Sequence, residues 1–212
     1  MFSSNRFFPR AAMALALIAG TTNAAWAAPT PTIPYGNPGT YNPVEVSFTA
    51  AATGDIVATF IGKSNALYEN EVGLLDNGVL TSAGFGLDNR TSNNSSTFDM
   101  GHVQKGDTLV FVMDNLSLGK LLYSDASMNT AYDLSSDTLG HNHVYASPYY
   151  DASYTYVGFE DQRFPSADFN YDDSAFLFTD VAIAPAVPEP QTPALLFAGL
   201  AAIGALARRR RA

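Results

Sequence analysis

Cysteine is absent from this 212-residue chain, which excludes disulfides and thiolate chemistry. The absence names no compartment by itself, but it suits a protein that folds after export without disulfide machinery. Positive charge is scarce as well. Six of the eleven basic residues sit at the two ends (Arg6, Arg10, Arg208, Arg209, Arg210 and Arg211), leaving Lys63, Arg90, Lys105, Lys120 and Arg163 between them. Nineteen of the twenty acidic residues precede Pro188, so the region between the ends carries about −14, against −9 for the whole chain. Such a surface repels nucleic acid and anionic lipid and attracts cations, and nucleic-acid binding is excluded. No Gly-x-Ser-x-Gly elbow and no paired-His hydrolase motif occurs. Outside the termini no window repeats with the period of an amphipathic helix.

What is present begins with the ends. Arg6 and Arg10 precede the apolar segment Ala11–Ala19, and Ala25-Trp26-Ala27 places small residues where a signal peptidase reads them. Residues 1–27 therefore read as a secretory signal peptide cut after Ala27. Its apolar core is too short to span a bilayer. At the other end, Pro188-Glu189-Pro190 precedes an apolar run from Thr192 to Ala207, and Arg208, Arg209, Arg210 and Arg211 come after it. The prolines hold their stretch extended. Sixteen residues span roughly 24 Å as a helix, a marginal membrane segment. The arginines stay on the cytoplasmic side, which turns everything before Pro188 outward. This tripartite tail resembles the PEP-CTERM sorting signal of Gram-negative bacteria. The resemblance implies an inner-membrane intermediate, recognition by an exosortase, processing near Pro188-Glu189-Pro190, and a final place at the cell surface or outside the cell. A plain tail anchor is the alternative.

Between the ends the repeating signal has period two. Val44, Val46 and Phe48 alternate with polar or small neighbours, as do Leu109, Phe111 and Met113. Ile56–Ile61 is a β-prone run fit for burial on both faces, and Ser153–Phe159 and Ala175–Ile183 each read as a strand. Thr53-Gly54-Asp55, Asp76-Asn77-Gly78, Lys105-Gly106-Asp107 and Leu139-Gly140-His141 are turn signals, and Thr91–Ser96 is a loop. The expected organisation is an extended lead-in over 28–43, one domain over 44–184, a Pro-rich linker over 185–191, a transmembrane segment over 192–207 and a basic cytoplasmic tail over 208–212. The expected fold is all-β, a jelly-roll-like antiparallel β-sandwich flanked by an N-terminal signal helix and a C-terminal transmembrane helix.

One series of motifs covers most of this domain. Gly54–Gly62 leads into Tyr68-Glu69-Asn70-Glu71. Then come Leu139-Gly140-His141-Asn142-His143-Val144, Tyr156-Val157-Gly158-Phe159-Glu160-Asp161 and Asp168-Phe169-Asn170-Tyr171-Asp172-Asp173. The order resembles an uncharacterised bacterial domain family often carried by PEP-CTERM proteins. Its hallmark is a Gly-Phe-Glu-Asp strand end, a Gly-rich loop and an Asp-x-Asp-Tyr-Asn-Asp turn. Asn170 stands where that family has Asp, Asp172 where it has Asn, and Gln162–Ala167 replaces the Gly-rich loop. The resemblance implies a β-sandwich and no established activity.

The residues of this loop carry the sharpest chemistry. Glu160, Asp161, Asp168, Asn170, Asp172 and Asp173 place five carboxylates and one amide within fourteen residues. Carboxylates so close repel unless something neutralises them, and calcium accepts such oxygen ligands in a flexible shell. Asp168, Asn170 and Asp172 alternate as in the first half of an EF-hand loop, but Asp173 replaces its Gly and Thr179 its closing Glu. The competing expectation is a turn stapled by Asx hydrogen bonds without an ion. His141 and His143 share a face in a strand and form a zinc pair if His102 or a carboxylate joins them; otherwise a ring nitrogen of His143 bonds a neighbouring loop. Tyr145, Tyr149, Tyr150, Tyr154 and Tyr156 form either a sugar-stacking platform or sheet packing. The expected function is that of an exported, non-enzymatic protein associated with exopolysaccharide or biofilm matrix and stabilised by calcium. A calcium-dependent carbohydrate-binding or adhesion module is the alternative. A glycosidase using Glu160 with Asp168 ranks last.

Overall fold

A computed structural model describes residues 35–64, 66–134 and 139–185. The expected signal peptide, transmembrane segment and arginine tail lie outside these described residues. The strands are β1 (Val46–Ala50), β2 (Gly54–Gly62), β3 (Asn70–Asp76), β4 (Val79–Gly86), β5 (Thr97–Val103), β6 (Thr108–Asn115) and β7 (Lys120–Tyr123). After a 3-10 helix at Ala126–Ala131 come β8 (Val144–Pro148), β9 (Tyr154–Phe159), β10 (Ser174–Thr179) and β11 (Val181–Pro185). They form two antiparallel sheets, consistent with the expected sandwich. One runs β11-β1-β6-β3-β4, with β7 also on β6, and the other runs β5-β2-β10-β9-β8.

Period-two patterning explains most of these strands. In β2, Ile56, Ala58 and Phe60 are buried while Val57, Thr59 and Ile61 are only half-buried, so one face is covered more fully than the other. In β6, Leu109, Phe111 and Met113 face the core. Phe111 stacks on Phe178 of the opposite sheet, with ring centroids 3.9 Å apart, and Phe48 meets Phe111 edge-on at 5.1 Å. Phe60, Phe159 and Phe176 extend this aromatic file between the sheets. The sequence run Ala175–Ile183 differs from its expected single strand. It is two strands in different sheets, broken where Asp180 takes φ 53°. An aspartate tolerates that left-handed backbone better than most residues, which lets the chain cross from sheet to sheet. Asn77 and Gly78, at φ 47° and 84°, close the β3–β4 hairpin in the conformation that two-residue hairpins favour.

The outer face of the second sheet is a smaller apolar cluster. Tyr149, Tyr156, Ala175 and Leu177 are buried there, with Ile61, Tyr145 and Tyr154 packed against them. Of the five tyrosines expected to form a platform or a packed surface, only Tyr150 is well exposed, at 81%. From Tyr35 the lead-in is packed too. Tyr35 contacts the rings of Tyr145 and Tyr171, and Tyr41 contacts those of His141, Phe164 and Phe169. Asn42 is buried, donating from its backbone N–H to Tyr171 Oη at 2.8 Å and from Nδ2 to the Val144 carbonyl at 3.1 Å.

Candidate metal centre

The acidic loop joins the end of β9 to the start of β10. Both strands lie inside the second sheet, so Glu160, Asp161 and Asp173 leave the sheet as buried residues with little water to solvate their charge. Backbone N–H groups supply part of what water would. Gln162 N donates to Glu160 Oε1 at 3.0 Å, Asn170 N to Glu160 Oε2 at 3.2 Å, and Asp161 N to Asp173 Oδ2 at 2.8 Å. Phe169 and Tyr171 take φ 54° and 56°, conformations costly for aromatic residues, and fold the loop back over its own root. Gly158 is fixed by that fold, since a Cβ there would stand 2.2 Å from the Tyr171 carbonyl oxygen.

The six expected ligands separate into three groups. Glu160, Asp168 and Asp173 converge, each offering one oxygen within 4.8 Å of the others. Asp161 turns away, accepting at Oδ2 from Asn70 Nδ2 at 2.8 Å and from Tyr68 N at 3.1 Å. Asn170 and Asp172 shape the loop: Asn170 Nδ2 donates to Asp168 Oδ2 at 3.1 Å, and Asn170 Oδ1 accepts from Asp172 N at 3.1 Å. The expected Asx hydrogen bonds are thus present beside the three-carboxylate cluster. Alternation along the sequence pointed at Asp168, Asn170 and Asp172, whereas the tertiary fold brings Asp168 to the two strand ends.

Burial dominates the electrostatics. It pushes Glu160 up to about 7, with the charge of Asp168 adding to it against the opposing hydrogen bonds from Gln162 and Asp173. Burial and the charges of Asp161 and Glu160 push Asp173 up to about 10. Burial raises Asp161 as well. With all carboxyls ionised, Asp173 Oδ1 and Asp161 Oδ1 are buried oxygens without a donor. A shared proton or a cation satisfies such oxygens. Arg163, the nearest basic residue in sequence, does neither, since its Nε donates to the Tyr132 carbonyl at 2.7 Å.

His141 and His143 form a separate network around Asp133. His143 is buried with both ring nitrogens engaged, Nδ1 with the Glu160 carbonyl at 2.9 Å and Nε2 with Asp133 Oδ1 at 2.8 Å. His141 Nδ1 reaches the other oxygen, Asp133 Oδ2, at 3.1 Å, and its ring stacks on Phe164. His143 thus bonds the neighbouring loop, in line with one of the two expectations. His102 pairs with Asp55 on the exposed side of the β2–β5 pair and does not join them. Sequence reasoning missed Asp133, which lies in no motif. Burial by itself would raise it, but the hydrogen bonds and charge of His143, with support from Phe164 N and His141, hold it below the usual carboxylate range.

The segment beyond β11 carries a sorting signal. Residues 186–211 match the PEP-CTERM protein-sorting motif. The PEP-CTERM match implies an exported protein, processed by an exosortase from a membrane-anchored intermediate. It contains Pro188-Glu189-Pro190 and Arg208, Arg209, Arg210 and Arg211, and lies outside the described residues. Among the described residues no helix is long and apolar enough to cross a membrane. No curated protein and no solved structure matches the chain.

Proposed function

We propose that the processed sandwich works without catalysis at the surface or in the extracellular matrix of a Gram-negative bacterium, associated with exopolysaccharide of the biofilm and stabilised by calcium. The observation that carries this reading is the PEP-CTERM motif starting directly after the last strand, at residue 186. A strongly acidic body suits a hydrated, cation-rich matrix. The non-catalytic part is supported by burial: of the Glu160 and Asp168 pair that sequence alone offers a glycosidase, Asp168 is exposed but Glu160 is only 1% exposed, so the two do not flank one open cleft. Packing of Tyr149 and Tyr156 into the sheet weighs against a sugar-stacking platform and for association through charge and calcium. Co-sedimentation with the host's exopolysaccharide, with calcium and with chelator, tests the reading. Retention in calcium without release of reducing ends is expected. Failure to co-sediment under either condition overturns the association, and release of reducing ends overturns the absence of catalysis.

A further inference from the structure

We propose that Glu160, Asp168 and Asp173 together hold one divalent cation, calcium by their chemistry, which fastens the 160–173 loop to the ends of β9 and β10. This rests on the calcium part of the reading above and is independent of its polysaccharide part. Three observations meet at one point. The three carboxylates present oxygens within 4.8 Å of one another. Two of the three side chains are essentially without solvent, and Asp173 keeps one oxygen with no donor. Among the described residues no Lys or Arg pairs with them, since the ion pairs there are all between histidine and aspartate. Buried carboxyls without a counter-charge ionise only at a cost, and a cation shared among them in place of a proton removes it.

The donor set selects the ion. All three ligands are hard oxygens, and the nearest imidazole, His143, is committed to Glu160 and Asp133 through its two nitrogens. Carboxylate oxygens without nitrogen or sulfur suit calcium or magnesium rather than zinc or copper. A loop that closes on itself tolerates an irregular shell better than the strict octahedron that magnesium demands. Asp168 is exposed while its two partners are buried, so the ion enters from the Asp168 side. The ligands come from two strand ends and a loop tip, which makes the ion a cross-link between segments that the backbone joins only through twelve intervening residues, 161–172.

The test uses the full chain, freed of metal and kept in detergent, titrated with calcium chloride or magnesium chloride in a calorimeter and melted in calcium or chelator. One calcium per chain is expected. Calcium at a hundred times its dissociation constant should raise the melting midpoint by roughly 5–10 °C. Asp173→Asn should remove both the binding heat and the shift while leaving the fold intact, because its amide keeps an acceptor for Asp161 N–H and offers Glu160 a donor. Asp99→Ala, on β5, should leave both unchanged. Identical melting curves with no binding heat overturn this site and the calcium part of the proposed function together. Binding that survives Asp173→Asn but is lost in Asp172→Asn overturns this ligand set and leaves calcium standing. A larger shift with magnesium overturns the choice of ion.

Discussion

Asp133 gathers four hydrogen bonds on two oxygens. His143 Nε2 and Phe164 N donate to Oδ1, and His141 N and Nδ1 approach Oδ2. Asp133→Ala strands a buried imidazole and two backbone amides, and should cost about 2–4 kcal/mol in urea unfolding. Asp133→Asn, which retains acceptor capacity, should recover part of that. Loss below about 0.5 kcal/mol in the alanine variant would show that water replaces the carboxylate. No pattern in the sequence marks Asp133, because its partners lie eight, ten and thirty-one residues away and meet it only in the fold. The acidic loop was legible because its carboxylates are neighbours in sequence, but which of them converge depends on two left-handed aromatic residues that composition does not reveal. The loop also sets a pH dependence. The folded values of Glu160 and Asp173 stand above their unfolded ones, so the native state binds more protons than the unfolded chain between them. That stabilisation is complete below about pH 4 and is lost as pH rises, the share of Glu160 by about pH 7 and that of Asp173 by about pH 10. In chelator the urea midpoint should therefore be lower at pH 8 than at pH 5, and Asp173→Asn should flatten the difference. An equal or higher midpoint at pH 8 would remove the buried-acid account.

Among the elements, those with one covered face were the readable ones. β6 alternates and was recognisable, whereas β3 is buried almost throughout, from Asn70 to Leu75, and carries no alternation to read. β7 is too short for a period to show, and β8 is half-buried from Tyr145 to Ser147 without alternation. The lead-in was marked extended by its prolines and glycines, and it has no strand of its own before Val46. The acidic loop holds it in part, since Gly39 N donates to the Phe169 carbonyl at 3.2 Å and Asn42 N to Tyr171 Oη, while Asn142 and Val144 bond Tyr41 and Asn42 from the other side. The Phe169 and Tyr171 acceptors belong to the left-handed residues of the loop. Loosening the loop should therefore free the lead-in before the sheets open. Chymotrypsin should cut after Tyr35 or Tyr41 faster in chelator than in calcium, with the remaining body intact on a gel. Equal cutting rates would mean that the lead-in is held without help from the ion.

At the scale of the whole molecule, the first strand pairs with the last. β1 is paired along its length by β11, from Val46 opposite Pro185 to Ala50 opposite Val181, and the sorting motif begins one residue later. The secreted protein should start at Ala28 and end near Pro190, and its intact mass checks both cuts. A species still carrying Arg208, Arg209, Arg210 and Arg211, from a host that processes such tails, would contradict the reading. Until that cut, residues 186–191 are all that separates β11 from the apolar run, at most roughly 20 Å of extended chain. A leash so short keeps the end of β11 within that distance of the apolar run. Pro185 and Val46 are paired at the end of the sandwich from which the sorting motif continues, and the lead-in places the acidic loop close by through Asn42 and Tyr171. The Asn77-Gly78 turn, bonded to the Thr108 carbonyl, and the Gly106 turn, bonded to the Ala50 carbonyl, point the other way. The acidic loop and the residue from which the sorting motif continues thus share one end of the sandwich, and these turns occupy the other.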